Sequence, residues 1–330
     1  TRVAGGYQVA NIHKSFVTAA GMFTAVAGDA RAQTSLREPR VLPIESYEPN
    51  TLGYTLDSDD VGFLDFKLSV KYPVMPERIC AKLEDTRLYF AATTRFAQYL
   101  GTRDSSPVIG KRFNPKIIWR TVTEWEPRAT QEASCERNRQ KNAREYFDLA
   151  FGHESNGQSI DSPGALREAR EVNFRRDGRP EFALDQISRG WDYFEMAYKA
   201  RPAEHPNWTA YLTLKFFLPH GPLQGAAEEY SDWENDAQGK PRRSVNGVAT
   251  LIKYRGNWEC CNWLADPKFA LGVETGYRDI FRYVTVRAEA GLKLWELPLT
   301  LWAQTGYGSD LAQYYKKVTS VGVAVEIASF

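Results

Sequence analysis

Val284-Thr-Val-Arg-Ala-Glu-Ala-Gly-Leu-Lys-Leu294 alternates with a period of two. Val284, Val286, Ala288, Ala290, Leu292 and Leu294 fall on one face, and Thr285, Arg287, Glu289 and Lys293 on the other. A helix repeats every 3.6 residues, whereas a strand turns each successive side chain to the opposite face, so this run reads as a strand. It is about twice the usual strand length of roughly five or six residues, and it matches the roughly 9–11 residues that a tilted strand needs to cross a bilayer. The pattern recurs in Leu64, Phe66, Leu68, Val70 and Tyr72, in Trp208, Ala210, Leu212, Leu214, Phe216 and Leu218, and in Val321, Val323, Val325 and Ile327. Strands are expected near 50–56, 62–73, 87–100, 113–125, 144–154, 188–200, 207–218, 247–258, 267–277, 283–295, 298–308 and 318–328. The expected fold class is all-β: a 12-stranded antiparallel transmembrane β-barrel. An even strand number puts both termini on one side, with 101–112, 155–187, 219–246 and 309–317 as polar surface loops on the other.

The chain carries 42 basic and 41 acidic residues, a net charge of +1, which argues against a nucleic-acid partner. The longest mainly apolar run, Phe16 to Gly28, is too short for the ~20 residues of a spanning helix. With His13 and Lys14 before it and Ala30-Arg31-Ala32 after it, that run reads as a signal peptide cleaved after Ala32. A short buried helix is the competing reading. The expected organisation is a signal peptide and upstream segment over 1–32, then one barrel domain over 33–330 whose N-terminal segment, to about 49, is periplasmic. Export would favour disulfides. The expected topology puts Cys80, Cys135, Cys260 and Cys261 in near-side turns, where a Cys80–Cys135 bridge is feasible. None of the four has zinc-site spacing. Trp119, Trp125, Trp208 and Trp302 are expected in the aromatic girdles at the membrane interfaces.

Chemistry is suggested at Phe147-Asp-Leu-Ala-Phe-Gly-His-Glu-Ser-Asn-Gly157. The apolar phase Phe147, Leu149, Phe151 continues into His153 and Ser155, so a potential base and a potential nucleophile share the outward face. Glu154 falls on the inward face. In the next strand the phase Phe194, Met196, Tyr198 extends back through Asp192 and Gly190 to Ser188. An outward Asp needs a partner, and His153 is the expected one.

His153-Glu-Ser-Asn-Gly157 followed by Ser188-Arg-Gly-Trp-Asp192 resembles the paired signature of the outer-membrane phospholipase A family of Gram-negative bacteria. Tyr47-Glu-Pro-Asn50 with Tyr54, Ser105-Ser-Pro107, Thr305-Gly-Tyr-Gly308 and Val321-Gly-Val-Ala-Val325 are similar to that family in the same order. The resemblance spans about residues 45–330. It implies a calcium-dependent, dimeric phospholipase in the outer membrane, acting on membrane phospholipids. Ser155 would be the nucleophile, His153 the base, Asp192 the orienting acid and Gly157 an oxyanion donor. Ser188, the carbonyl of Gln158 and Ser105 from a second subunit would hold Ca2+. The best-known members have Asn where this chain has Asp192, and on that basis Asp192→Asn is expected to retain most activity. The interval from Gly157 to Ser188 is longer than the family pattern; it reads as a solvated loop whose five arginines, 167, 170, 175, 176 and 179, could meet lipopolysaccharide phosphate. Two competing readings are a catalytically inactive, porin-like barrel and a soluble β-sandwich.

Overall fold

The computed structural model describes residues 44–58, 61–74, 86–100, 108–125, 143–224, 240–257, 259–261 and 264–327. The strands are β1 (Glu45–Ser46), β2 (Thr51–Asp57), β3 (Gly62–Pro73), β4 (Thr86–Tyr99), β5 (Ile109–Trp125), β6 (Ala143–Ser155), β7 (Gly190–Ala200), β8 (Trp208–Phe217), β9 (Gly247–Arg255), β10 (Glu259–Cys261), β11 (Leu264–Gly276), β12 (Thr285–Leu294), β13 (Leu297–Gly306) and β14 (Val318–Glu326). Twelve of them form the wall, while β1 and β10 are short additions. Each wall strand pairs with its neighbours, β3 pairs with both β2 and β4, and β14 pairs with β2, so the sheet closes on itself. Every paired ladder of this wall is antiparallel. Closure leaves the wall no unpaired edge.

Alternation then sorts the side chains. Ile117, Trp119, Leu149, Phe194, Leu271 and Leu301 point outward and are exposed. Their inward neighbours carry charge. Lys116 Nζ lies 2.7 Å from Glu195 Oε1, and Arg120 makes two 2.7 Å bonds to Asp148, with all four side chains buried. Nearer the site, Glu154 accepts from Lys215 at 3.0 Å and Arg242 at 2.8 Å, with Arg112 Nε at 3.5 Å. Buried charges are tolerable only when paired in this way.

Tyr47-Glu48-Pro49-Asn50 fills further interior space. Both β1 and β2 lie against β3, and the residues between them leave the ladder. Tyr47 packs against Ala91, Ile118 and Ala150, with Lys116 Nζ 4.8 Å from its ring centroid. The side-chain oxygen of Asn50 accepts from the Ser69 amide at 2.6 Å, which anchors the inward turn.

Two expectations change. Trp302 is not in an interface girdle: it points inward, is buried, and stacks 4.0 Å from the Arg287 guanidinium. Its cross-strand partner is Gly322, where a Cβ would meet the indole, so the glycine provides the room. Trp119 and Trp208 are outward and exposed as expected. The interval 158–187 is not a plain loop. It contains helix α1 (Pro163–Asp177), capped by the Ser162 hydroxyl accepting from Ala165 N and ended by Gly178 at φ 69°. Leu166 of α1 packs with Ile160, Ala183 and Ile187 in a small separate cluster. The signal peptide, Cys80, Cys135, Trp125's side chain and Phe330 lie outside the described residues.

Removing one partner of a buried ion pair strands the other charge. Glu195→Ala should therefore destabilise the barrel by about 3–5 kcal/mol, read as a lower denaturant midpoint, because it leaves Lys116 uncompensated. An unchanged midpoint would show that water reaches this part of the interior.

Candidate active site

The antiparallel register of β6 and β7 puts His153 directly opposite Asp192 and Ser155 opposite Gly190. Directly opposed residues have Cβ atoms about 4.5–5.5 Å apart, close enough for short side chains to bond. His153 Nδ1 lies 2.6 Å from Asp192 Oδ1. That contact uses one ring nitrogen and leaves Nε2 outside it. Ser155 lies two residues along the same strand and on the same face, with its Cα about 6.5–7 Å from that of His153. No hydrogen bond joins Ser155 to His153 among the described residues. Where a serine and a histidine act together, such bonds commonly tighten only around bound substrate. Glu154 is on the opposite face, held by its three cations, and takes no part in this group.

Asp192 sits at the end of the outward stripe but has no exposed surface. Residues 218–224, just after β8, fold back over it. Leu218 N donates to the Asp192 carbonyl at 2.8 Å, and Leu223 N donates to Asp192 Oδ2 at 2.6 Å. The two carboxylate oxygens therefore have one N–H partner each, which offsets the cost of burying the acid.

Asn156 is a site residue that the sequence reading passed over. It is 1% exposed. Its Oδ1 accepts from Arg189 N at 2.8 Å and Gln158 N at 3.4 Å, and its Nδ2 donates to Ile187 O at 2.7 Å. Asn156 thus clamps the end of β6 to the approach of β7. The Asn156-Gly157 pair is a turn signal that could have pointed to it. Gly157 follows at φ 56°, a left-handed conformation that glycine adopts at little cost. It is exposed beside Ser155, and its N–H has no acceptor among the described residues, as an oxyanion donor requires.

The segments that carry Gln158 and Ser188 meet, since Asn156 Oδ1 accepts from both Gln158 N and Arg189 N. Ile160 and Ile187 form an isolated parallel bridge, with Ser188 N donating to Ile160 O at 2.7 Å and Ile160 N to Gln186 O at 3.0 Å. Segments 158–160 and 186–188 therefore run side by side next to the His153–Ser155 strand end. A serine hydroxyl and a backbone carbonyl are hard, neutral oxygen donors, which fit Ca2+ and suit a site completed by water. Ser105, the third expected ligand, lies outside the described residues. No group of three or more His, Cys, Asp or Glu residues at metal-binding distance occurs among the described residues.

The closed twelve-stranded wall has counterparts among solved structures. Outer membrane phospholipase A from Escherichia coli is similar, with a TM-score of 0.58 and 16% identity, over 87% of this chain and 99% of that one. The Salmonella typhi outer membrane phospholipase dimer with bound calcium gives a TM-score of 0.57 at 16% identity, over 89% and 94% of the two chains. The resemblance seen in the motifs thus extends to the fold. No protein-family profile and no curated sequence relative matches the chain.

Asn156→Ala should loosen the turn without breaking the wall. Its loss leaves buried backbone groups unpaired, at a cost of about 1–3 kcal/mol. Amide hydrogen exchange at Arg189 should accelerate while the β6–β7 ladder stays protected; unchanged exchange at Arg189 would count against the clamp.

Proposed function

We propose that this chain is a phospholipase of the bacterial outer membrane that hydrolyses acyl esters on the outer face of its barrel. The observation that carries this reading is the 2.6 Å contact between His153 Nδ1 and Asp192 Oδ1, with Ser155 on the same outward face. Exposed apolar side chains around the wall support a bilayer setting. Export would use the segment before residue 33.

His153 Nε2 takes the proton of the Ser155 hydroxyl as its oxygen attacks the ester carbonyl. Asp192 holds the imidazole in the Nδ1–H tautomer and balances the charge it gains. The Gly157 N–H faces the carbonyl oxygen as it becomes negative. His153 returns the proton to the departing lysolipid oxygen, and water then releases the fatty acid from Ser155. Ser188 and the Gln158 carbonyl would hold Ca2+, completed by Ser105 from a second copy, and the ion when bound supplies Lewis-acid polarisation of the ester. Activity then depends on homodimerisation, since the ligand set spans two chains.

The placement of the group on the outer wall makes phospholipid in the outer leaflet the natural substrate. Helix α1 adds five exposed arginines in and just after it, two of them in local acidic pairs, Arg175–Glu171 and Arg176–Asp177. Arg167 and Arg170 are available to lipid or lipopolysaccharide phosphate, while Arg179 lies over the Phe182 ring at 5.3 Å. Tyr47 packed inside the wall and the buried, paired charges favour a filled interior over a porin-like channel.

Refolded residues 33–330 in mixed phospholipid–detergent micelles should release fatty acid with calcium, stop on adding chelator, and lose at least about a thousandfold in rate on Ser155→Ala, the scale of loss when a triad nucleophile is removed. No release from a folded, calcium-loaded dimer would overturn the reading, and steady ion conductance in planar bilayers would favour the channel instead.

A further inference from the structure

We infer that residues 218–224 form a positioning strap that holds Asp192 as a two-sided hydrogen-bond acceptor, and that this strap makes aspartate, not asparagine, the residue required at position 192. The inference rests on the phospholipase reading and specifies how its third member is held.

The strap is fastened at both ends of Asp192. Leu218 N donates to the backbone carbonyl, and Leu223 N donates to Oδ2. Between them the chain passes so close that a Cβ at Gly221 would overlap the Asp192 side chain, so glycine alone permits the approach. The strap also closes on itself: Gly221 N donates to Gln224 Oε1 at 2.7 Å, and Gln224 N to Gly221 O at 3.2 Å. Pro219 and Pro222 fix two of its φ angles, which lowers the entropy lost in ordering it. The side chain of Leu223 is 60% exposed, so apolar burial does not hold this end down. The bond to Asp192 does.

An amide at position 192 cannot serve both donors. With its oxygen toward His153 Nδ1–H, its NH2 faces the Leu223 N–H, and two donors meet in a site from which water is excluded. Turned the other way, the NH2 meets His153 Nδ1, which must then accept; the ring carries its proton on Nε2 and Ser155 loses its base. A carboxylate satisfies both N–H groups at once. The geometry therefore reverses the expectation drawn from the family pattern, in which Asn at this position would retain most activity.

The test is a cycle with the α-hydroxy acid of leucine at 223, which replaces the N–H by an ester oxygen and leaves the side chain and the 221–224 turn in place. Asp192→Asn should lower kcat by about ten- to a hundredfold, the effect of leaving a buried donor unpaired, with KM within about twofold. The ester at 223 in the Asp192→Asn background should then restore kcat by about tenfold or more. A merely structural strap would give the opposite sign, with the second substitution lowering activity further. Heat-modifiable gel mobility reports whether each variant is folded, and amide exchange supplies a readout that needs no turnover. The Leu223 amide should be protected in the wild-type protein and exchange at least about tenfold faster in Asp192→Asn. Full activity in Asp192→Asn, failure of the ester at 223 to rescue it in a folded barrel, or an unprotected Leu223 amide in the wild type would each overturn the strap. A wild-type protein that releases no fatty acid yet protects Leu223 in an Asp192-dependent way would overturn the phospholipase reading while leaving the two-sided acceptor in place.

Discussion

A closed sheet has two faces and no edges, and this constraint governs the rest of the molecule. Each residue of the twelve wall strands must point either into a narrow interior or out at the surroundings, and a shift of one residue would exchange the two sets. The interior can therefore hold charge only as pairs, as at Lys116–Glu195 and Arg120–Asp148, while the outside carries the apolar stripes. The same rule places His153 and Ser155. They occupy the outward phase at the end of β6, so any chemistry they perform is directed away from the lumen.

The site lies where the rule is relaxed. At the rim the outward face no longer has to be apolar, and the chain supplies its own cover: Asn156 ties the turn after β6 to the approach of β7, and residues 218–224 bury Asp192. These bonds come from three separate stretches of sequence. The long-range ladder between β6 and β7 sets the His153–Asp192 pairing, and local backbone donors complete it. Preorganisation of this kind is what allows a base to keep its tautomer and orientation without reorganising during reaction.

The twelve strands were legible because their alternation is strong, and observed boundaries differ from the expected ones mostly by a few residues at strand ends. The His153–Asp192 partnership was legible for the same reason, since both residues extend an apolar phase to the same rim. Trp302 was misplaced by its residue type: the flanking Leu301 and Ala303 already assigned it to the inward phase, and Gly322 across the strand supplied the space. Helix α1 was missed because it buries little. Leu166 is its chief apolar contact while Val172 and Phe174 are exposed, so no 3.6-residue stripe stands out, although Ser162-Pro163 and Gly178 mark its two ends. The strap and the Asn156 clamp work through backbone N–H and C=O groups, which every residue carries, so composition and periodicity could not reveal them.

The proposed chemistry turns on one relationship, the activation of the Ser155 hydroxyl by His153. It is tested most directly by reacting the folded protein with a fluorophosphonate, which traps an activated serine irrespective of lipid binding, and locating the adduct by mass spectrometry. A single adduct on Ser155 should form rapidly in the wild type and be nearly lost in His153→Ala. Labelling elsewhere, or labelling of Ser155 at a rate indifferent to His153, would contradict it.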